Sequence, residues 1–302
     1  MAAQHSVHPT GGSRRVFRQF VWLEVGSGKM AFSRPAHPRV THTVGQPVRA
    51  DDNLEGESMD CEDKVALVTG AAGNGLGRSI ALTLAREGAR VIVNYRNSDT
   101  NAKAIVEHIK GCGGNASAIS ADVFDAQGCR KLVQTTIEQF GQIDICVIGP
   151  GGGWHPETID QLVPEAALED LRQETAPLLH LMPLVLPGMY ERQWGRLIGI
   201  ATHPVKLSPA YSYNTGKAAR MHALLLAQDQ AWARGVTVNV IAPGPVAGLS
   251  NLDSAIEQYQ HGIAWQKRPD VSPQDIAEGV AFLCSESGRF VTGCVLPYLF
   301  RW

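Results

Sequence analysis

Short apolar runs alternate with amphipathic segments along most of the chain, and this alternation predicts its secondary structure. The apolar runs predict β-strands over 65–68, 91–95, 116–121, 143–148, 196–201, 236–241 and 294–299. Between them, apolar side chains recur at helical spacing, which predicts helices over 79–87, 100–111, 126–140, 164–192, 211–234 and 273–286.

Repeated strand–helix units with nearly continuous apolar strands are typical of a parallel sheet covered by helices on both faces. Because the crossovers in such units are right-handed, we expect one doubly wound, Rossmann-like α/β sheet of about seven strands. Ligands bind at the carboxyl ends of the strands in this architecture. Residues 59–302 are therefore predicted to form a single domain of this architecture.

Two helices carry more specific expectations. Pro177 and Pro183 each remove a backbone donor, so they are expected to kink or break the helix predicted over 164–192. In the helix predicted over 126–140, the residues expected to face inward are Leu132, Val133, Ile137 and Phe140.

The segment from Lys64 to Gly88 combines an apolar strand, a turn with four glycines and a helix. This is the order of a dinucleotide-binding start, in which glycines let the backbone turn sharply and let a pyrophosphate approach. The free N–H groups and the positive dipole end of the helix then bind that anion. The candidate cofactor-binding residues of this turn are Gly70, Asn74, Gly75, Leu76 and Gly77.

The spacing of this turn resembles the Thr-Gly-x-x-x-Gly-x-Gly pattern of the short-chain dehydrogenase/reductase family. Here Thr69-Gly70 is followed by four residues and then by Gly75-Leu76-Gly77, one residue more than the pattern, so we expect a slight bulge in the phosphate loop. The resemblance covers about residues 62–299. The overall pattern, including Asn94-Tyr95-Arg96, is most similar to the 3-oxoacyl-(acyl carrier protein) reductase branch.

Tyr213 and Lys217 lie four residues apart in a predicted helix and therefore share one face of it. A tyrosine with a pKa of about 10 is a weak acid–base catalyst at neutral pH, and a neighbouring ammonium lowers that pKa. Their motif and its place after the fifth strand match the catalytic Tyr-x-x-x-Lys of the family. The resemblance implies that Tyr213 exchanges a proton with the substrate oxygen, while Lys217 lowers the pKa of Tyr213 and contacts the ribose.

The other two catalytic positions depart from the family pattern. The serine that binds the substrate oxygen corresponds to Thr202, whose hydroxyl can donate in the same way, and Ser208 and Ser212 are less well placed substitutes. The asparagine that relays protons to the lysine corresponds to Glu174. A carboxylate there can form an ion pair that holds Lys217 charged, or it can disrupt the relay. A solvated glutamate on a helix is an equally open alternative.

The loops after the third, fourth and sixth strands match the cofactor contacts of the family to different degrees. Asp122-Val123 matches the pair that contacts adenine, and Pro243-Gly244-Pro245-Val246 matches the loop that lines the nicotinamide. The usual Asn-Asn-Ala-Gly is replaced by Ile148-Gly149-Pro150-Gly151, so Gly149 still permits close approach but the bracing amide is absent. Gly248 replaces a threonine, which implies that a pyrophosphate contact is lost.

The residues after the second predicted strand indicate the type of nucleotide. NAD enzymes place an acidic residue there to bind the ribose hydroxyls. This chain has Tyr95 at that position, followed by Arg96, which can bind a 2′-phosphate bidentately. With Asn94 and Arg96 as candidate contacts, we expect NADP rather than NAD; a solvated arginine is the alternative.

Composition narrows the possible partners. The 302-residue chain has a formal net charge of −2 and no large basic block, so neither a nucleic acid nor an anionic membrane is expected as a partner. Its six cysteines form no Cys-x-x-Cys pair and are expected to be reduced thiols of a cytoplasmic protein. No metal site is predicted, because the spacing typical of metal ligands is absent from four scattered histidines, namely His155, His180, His203 and His222.

Residues 1–58 differ from the rest of the chain. They are rich in Gly, Pro, His and Ser without sustained periodicity, so we expect a mostly disordered extension. Ser13-Arg14-Arg15-Val16-Phe17 has some likeness to a twin-arginine signal, and a transit peptide is a second alternative. A third is that Met59 is the true start.

Two apolar regions suggest contacts outside the sheet. Residues 246–270 match the variable flap over the substrate site in the family, although packing of a helix onto the domain explains their apolar side chains equally well. The helices predicted over 164–192 and 211–234 are unusually apolar, and the matching helices pair between subunits in the family. A homodimer or homotetramer is therefore expected.

These observations predict an NADP-dependent carbonyl reductase or alcohol dehydrogenase. It would transfer a hydride between the nicotinamide and a keto or hydroxy carbon of a small-molecule substrate. The alternative is a degenerate family member that binds nucleotide, or only a partner subunit, without turnover. The altered catalytic helix and the altered loop after the fourth strand motivate that alternative.

Overall fold

The computed structural model of the protein describes residues 60–203, 209–249, 251–261 and 271–298. The predictions for residues 1–58, and those for Ser208 and residues 262–270, lie outside this part of the chain. All of the predicted strands and helices lie within the described ranges, apart from residue 299 at the end of the last strand.

Seven parallel strands form one sheet, as the alternating pattern predicts, in the order β3-β2-β1-β4-β5-β6-β7. Because β1 lies between β2 and β4, the strand order reverses there, and a crevice opens at the carboxyl ends of β1 and β4. The strands are β1 (Val65–Val68), β2 (Arg90–Tyr95), β3 (Ala116–Ser120), β4 (Ile145–Ile148), β5 (Gly195–Ile200), β6 (Val236–Pro243) and β7 (Val295–Tyr298).

The helices agree with the predicted ones to within three residues at each end, and two further elements lie in segments without a prediction. None of the described helices is long and apolar enough to cross a membrane. The helices are α1 (Leu76–Arg86), α2 (Asp99–Gly111), α3 (Ala126–Phe140), α4 (Pro164–Glu191), α5 (Tyr211–Trp232), α6 (Leu252–His261) and α7 (Pro273–Cys284), with a 3₁₀ turn at Ile159–Gln161.

The sheet separates two apolar cores, which confirms helices on both faces. On one face, α1, α2, α6 and α7 pack against the sheet and bury side chains such as Ile80, Ile105 and Ile276. On the other face, α3, α4 and α5 pack against the sheet and bury side chains such as Leu132 and Leu178. The apolar side chains of α6, including Ala255, join the first core, so packing onto the domain accounts for this part of the predicted flap.

The expected inward side of α3 is wrong at one residue, and the expected break in α4 is absent. Ile137 is 46% exposed, because the inward stripe of α3 continues through the buried Thr136, whose hydroxyl donates to the Leu132 carbonyl at 2.8 Å. Helix α4 is unbroken over 28 residues although Pro177, Pro183 and a third proline lie inside it. Pro183 is on the exposed side of α4, where the carbonyl that it leaves without a backbone donor can face water.

Candidate active site

The glycine turn after β1 is held in a shape that only glycine permits at two positions. Gly70 has φ of +63°, and a Cβ there would lie 2.7 Å from the Pro150 ring. A Cβ on Gly77 would lie 2.8 Å from the Gly70 carbonyl oxygen, so α1 packs directly on the turn. Gly75 has open space around its Cα. The three residues before α1 are exposed, and α1 begins at Leu76.

Asn94, predicted as a cofactor contact, is a buried brace for this turn. Its Oδ1 accepts from the Gly70 N–H at 3.2 Å, and its Nδ2 donates to the carbonyls of Ile119 and Ala121 at 3.3 and 3.1 Å. Because the three bonds join the ends of β1, β2 and β3, Asn94 fixes the turn on which a nucleotide would rest.

Two adjoining cavities lie along the carboxyl edge of the sheet, and both are lined by Gly70 and Pro150. The smaller, of about 310 Å³, is also lined by Gly75, Leu76, Gly77 and Gly149. The larger, of about 510 Å³, is lined by polar groups and by Val123 of the predicted adenine pair, and its charged lining residues are Arg96, Asp122 and Arg172. The structure thus gathers most of the predicted cofactor residues around one elongated space.

Arg96 and Asp122 form an ion pair in the wall of the larger cavity. The Arg96 Nη1 lies 3.5 Å from the Asp122 Oδ2, and the guanidinium lies 5.4 Å from the centroid of the Phe124 ring. The other oxygen of Asp122 accepts from the Phe124 N–H at 2.9 Å. Arg172 from α4 lines the same cavity and binds Glu169 bidentately at 2.7 and 2.6 Å.

Arg78, which the sequence analysis missed, provides a test of whether the site fits a dinucleotide. It is 2% exposed in the first turn of α1, and its Nη2 donates to the Asn74 Oδ1 at 3.0 Å. Its Nε and Nη1 are buried without a hydrogen-bond partner among the described residues. Buried cationic donors beside a glycine turn and a helix N-terminus suit a phosphate anion. Its position directly after Gly77, the last glycine of the turn, was the available signal.

The loops after β5 and β6 lie side by side at the same edge. The Thr202 hydroxyl donates to the Pro243 carbonyl at 3.2 Å, and the Gly244 N–H donates to the Tyr298 carbonyl at 2.9 Å. Val246 forms an isolated parallel bridge with Val271. Thr202 is therefore beside the predicted nicotinamide loop, with its hydroxyl directed at the backbone in this structure.

The first turn of α5 is fixed by carboxylates from outside the helix. Glu157 accepts from the N–H and the hydroxyl of Ser212 at 2.6 and 2.7 Å, and an Asp170 oxygen lies 2.8 Å from the same hydroxyl. These bonds lower the pKa of Glu157. Ser212 is thereby engaged away from the sheet and is not available as the substitute oxygen binder considered from the sequence. The anchored turn sets the position of Tyr213.

Tyr213 and Lys217 share one side of α5, as predicted, with the Lys217 Nζ 5.3 Å from the centroid of the Tyr213 ring. The expectation that Lys217 lowers the pKa of Tyr213 is not met. Burial and the negative charge of Glu174 raise the pKa of Tyr213, and Arg220 partly opposes them. The phenol is therefore protonated at neutral pH, which is the state required of a proton donor.

Glu174 is fully buried and pairs with Lys217, so the ion pair considered from the sequence is present and the solvated alternative is wrong. The Lys217 Nζ lies 3.1 Å from the Glu174 Oε2. Burial, followed by the charge of Arg220, lowers the pKa of Lys217 to about 8, while Glu174 acts in the opposite direction.

Arg220 is the second functional residue that the sequence analysis missed. Its side chain is completely buried between α4, α5 and the sheet. It donates to the Glu174 carbonyl at 2.8 Å, to the Gly149 carbonyl at 2.9 Å and to the Ile200 carbonyl at 3.0 Å, and it also donates to the Pro150 carbonyl. The sequence shows only an arginine in a long helix, and such residues are mostly exposed.

The family to which this chain belongs follows from a match to known sequences. Residues 64–260 match the profile of the short chain dehydrogenase family. The 3-oxoacyl-[acyl-carrier-protein] reductase FabG of Staphylococcus epidermidis is 32% identical over 237 residues, which are 76% of this chain and 95% of that protein. The chain belongs to the short-chain dehydrogenase/reductase family.

Solved structures of family members have the same fold and carry nicotinamide cofactors. A 7α-hydroxysteroid dehydrogenase complexed with NADH and 7-oxo glycochenodeoxycholic acid superposes with a TM-score of 0.69 at 29% identity, covering 80% of this chain and 94% of the other. A short chain dehydrogenase from Burkholderia cenocepacia in complex with NADP has a TM-score of 0.67 at 27% identity, covering 80% and 98%. The protein is an NAD(P)-dependent oxidoreductase that acts on CH–OH or C=O groups.

Potential metal ligands do not cluster in the described part of the chain. Within 60–203, 209–249, 251–261 and 271–298, no group of three or more His, Cys, Asp or Glu side chains could hold a metal ion.

The bracing role of Asn94 leads to a stability prediction. Asn94→Ala removes three hydrogen bonds to the backbone, two of them buried, so the free energy of unfolding should fall by about 2–3 kcal/mol. Urea unfolding without nucleotide measures this loss.

Asn101→Ala is the matched control, since its amide makes a single 3.3 Å bond to the Ala72 carbonyl of the same turn. It should lower the free energy by less than about 1 kcal/mol. Equal losses in the two variants would contradict the assigned role of Asn94.

Proposed function

We propose that the protein is an NADP-dependent ketoreductase in which Tyr213 is the proton donor. The single observation that carries this proposal is the position of Tyr213 and the buried Lys217 on one side of α5. Lys217 is paired with Glu174, which packs against Gly151 of the loop that lines the larger nucleotide cavity. A bound NADPH supplies the hydride. Tyr213, which burial and Glu174 keep protonated, then donates its phenolic proton to the carbonyl oxygen.

The remaining roles are assigned from the same arrangement. Lys217 is held by Glu174 behind Tyr213, where its ammonium can donate to the ribose of the nucleotide. The Thr202 hydroxyl orients the substrate oxygen, which requires it to leave the Pro243 carbonyl. The 32% sequence identity to FabG makes 3-oxoacyl thioesters the first substrates to assay. A steroid ketone is the second class, because the 7α-hydroxysteroid dehydrogenase shares the fold at similar identity.

Tyr213→Phe tests the proposed proton donor. Loss of the hydroxyl should lower kcat for ketone reduction by about 100-fold or more, because general acid catalysis contributes about 10²–10⁴-fold. The affinity for NADPH, measured by nicotinamide fluorescence, should stay within about twofold since the ring is retained. A fully active variant would exclude this mechanism, and a wild-type protein that binds NADPH but reduces no carbonyl would favour the non-catalytic alternative.

The proposed preference for NADP depends on the charge of the larger cavity. Arg96 and Arg172 line this space, and Asp122 is the carboxylate next to Arg96. A 2′-phosphate placed between the arginines would replace Asp122 as the partner of Arg96 and form stronger, bidentate hydrogen bonds. NADP in the Burkholderia cenocepacia neighbour supports this choice, while NADH in the hydroxysteroid dehydrogenase shows that the fold accepts either nucleotide.

Arg96→Gln should weaken NADPH binding by about 10- to 100-fold, since a hydrogen-bonded charge pair contributes about 1.5–3 kcal/mol. The Kd for NADH should change by less than about threefold, because NADH lacks the 2′-phosphate. Isothermal titration calorimetry measures both constants. Arg289→Gln, which removes an exposed arginine paired with Glu286 at 3.0 Å, is the control and should change neither. Parallel losses for NADH and NADPH would refute the NADP assignment.

Helices α4 and α5 support the proposal of a homodimer or homotetramer. They pack against each other and expose large apolar side chains to solvent, which is unusual for a monomer when such side chains cluster. Leu226 is 67% exposed, and the other exposed apolar side chains on these helices are Leu168, Leu179, Tyr211 and Trp232. A second copy of the chain would cover them around a twofold axis.

Leu226→Asp tests this interface. The wild-type mass by light scattering after gel filtration should be two or four times 32.5 kDa, and the variant should shift towards 32.5 kDa because a charge would be buried between subunits. Ile137→Asp replaces an exposed apolar residue of α3, outside the two helices, and should leave the mass unchanged. A monomeric wild-type protein would contradict the proposal.

The cysteines support a cytoplasmic location. All six thiols are free, and the four buried ones are Cys61, Cys129, Cys146 and Cys284. Burial raises the pKa of Cys61, Cys129 and Cys146 to about 12, which keeps these thiols neutral. Free thiols are typical of a reducing compartment.

A further inference from the structure

The altered loop after β4, the altered position on α4 and a buried arginine meet at one place in the fold. Gly151 follows β4, Glu174 lies in the middle of α4, and Arg220 lies on α5 one turn after Lys217. In the chain these positions are far apart. In the structure, Glu174 packs against Gly151 and lies beside Arg220, so the three form one packed unit.

Two glycines create the space for the Glu174 side chain. A Cβ on Gly151 would collide with the Glu174 carboxylate, and a Cβ on Gly216 would lie 2.9 Å from the Glu174 Cβ. Alanine, the smallest alternative, would not fit at Gly151 without displacing the carboxylate. The Gly-Pro-Gly sequence after β4 is therefore matched to the glutamate on α4.

The Arg220 guanidinium braces the loop after β4, which in this chain lacks the usual asparagine amide. It binds the carbonyls of Gly149 and Pro150 after β4 and that of Ile200 at the end of β5. The Arg220 Nε lies 3.7 Å from the Glu174 Oε2, the same oxygen that pairs with Lys217. One side chain thus joins the two loops of the nucleotide edge to the ion pair of the catalytic helix.

We propose that Arg220 is a positioning residue that, acting with Glu174, fixes both the place and the protonation state of Lys217. The pair substitutes for the asparagine relay and for the asparagine brace that this chain lacks. The inference deepens the proposed function and rests on it for its catalytic meaning, since Lys217 is the lysine of the Tyr-x-x-x-Lys pair.

The charges around Lys217 make this proposal specific. Among the described residues, α4 presents Glu174 to its ammonium, and α5 presents Arg220 and the neutral Tyr213. At the ends of β4 and β5, Arg220 binds the backbone carbonyls of Gly149 and Ile200. Glu174 raises the pKa of Lys217, and Arg220 lowers it. Removing one partner should therefore move the titration of Lys217 in the direction opposite to removing the other.

The experiment is a titration of Lys217 in the full-length, nucleotide-free protein by NMR of ¹³C-labelled lysine side chains, with Lys217→Arg to assign the resonance. The wild-type midpoint should lie at about 8. Glu174→Gln should lower the midpoint, and Arg220→Met should raise it, each by about one pH unit or more. Arg220→Lys has too few donors for the four carbonyls but keeps the positive charge. Because the charge is kept, the Lys217 midpoint in this variant should stay near the wild-type value.

Arg196→Met is the matched control. Arg196 is another buried arginine, at the amino end of β5, where its guanidinium stacks 4.3 Å from the Trp194 ring centroid. Its loss should lower the stability of the protein without moving the Lys217 midpoint. If one single variant does not fold, the double variant Glu174→Gln/Arg220→Met, which removes both charges, is compared with the single variant that does fold. Its midpoint should lie above that of Glu174→Gln and below that of Arg220→Met.

The outcomes separate this inference from the proposed function. Opposite shifts in the two single variants confirm it, whether or not any carbonyl is reduced. An unchanged Lys217 midpoint in either single variant overturns the inference and leaves Arg220 as a structural brace. A double variant whose Lys217 midpoint equals that of the folded single variant does the same. Absence of carbonyl reduction with the predicted shifts would refute only the proposed activity.

Discussion

The buried ion pair between Lys217 and Glu174 is the interaction on which the active-site edge depends. A carboxylate without solvent access is stable only when its charge is matched, and here two cations share one of its oxygens at 3.1 and 3.7 Å. The second cation, Arg220, is stable in turn because its donors reach backbone carbonyls of three elements. The loop glycines, the long helix and the catalytic helix are consequently constrained together.

The same constraint relates stability to chemistry. Burial, together with the charge of Arg220, lowers the pKa of Lys217 to about 8 in spite of the Glu174 carboxylate. Tyr213, beside Glu174 and partly buried, keeps its proton. A site with a protonated phenol is suited to delivering a proton to a carbonyl oxygen, whereas alcohol oxidation requires the phenolate.

The rest of the edge is built by backbone geometry. Gly70 and Gly77 pack so closely that α1 starts on top of the turn, and Asn94 ties that turn to β3. The buried donors of Arg78 that lack partners among the described residues lie in the first turn of the same helix. These groups converge at the switch between β1 and β4, which is where open parallel sheets bind their ligands.

The amino-acid sequence by itself determined the fold, because strand and helix periods are local and the glycine turn has a specific spacing. It also predicted Tyr213, Lys217 and Glu174 as site residues, since each occupies a recognisable position. Only the tertiary structure decided that Asn94 braces the glycine turn, that Ile137 is exposed, and that Arg220 is buried with Glu174. Burial and charge pairing arise between segments far apart in the chain, so no local pattern of residues encodes them.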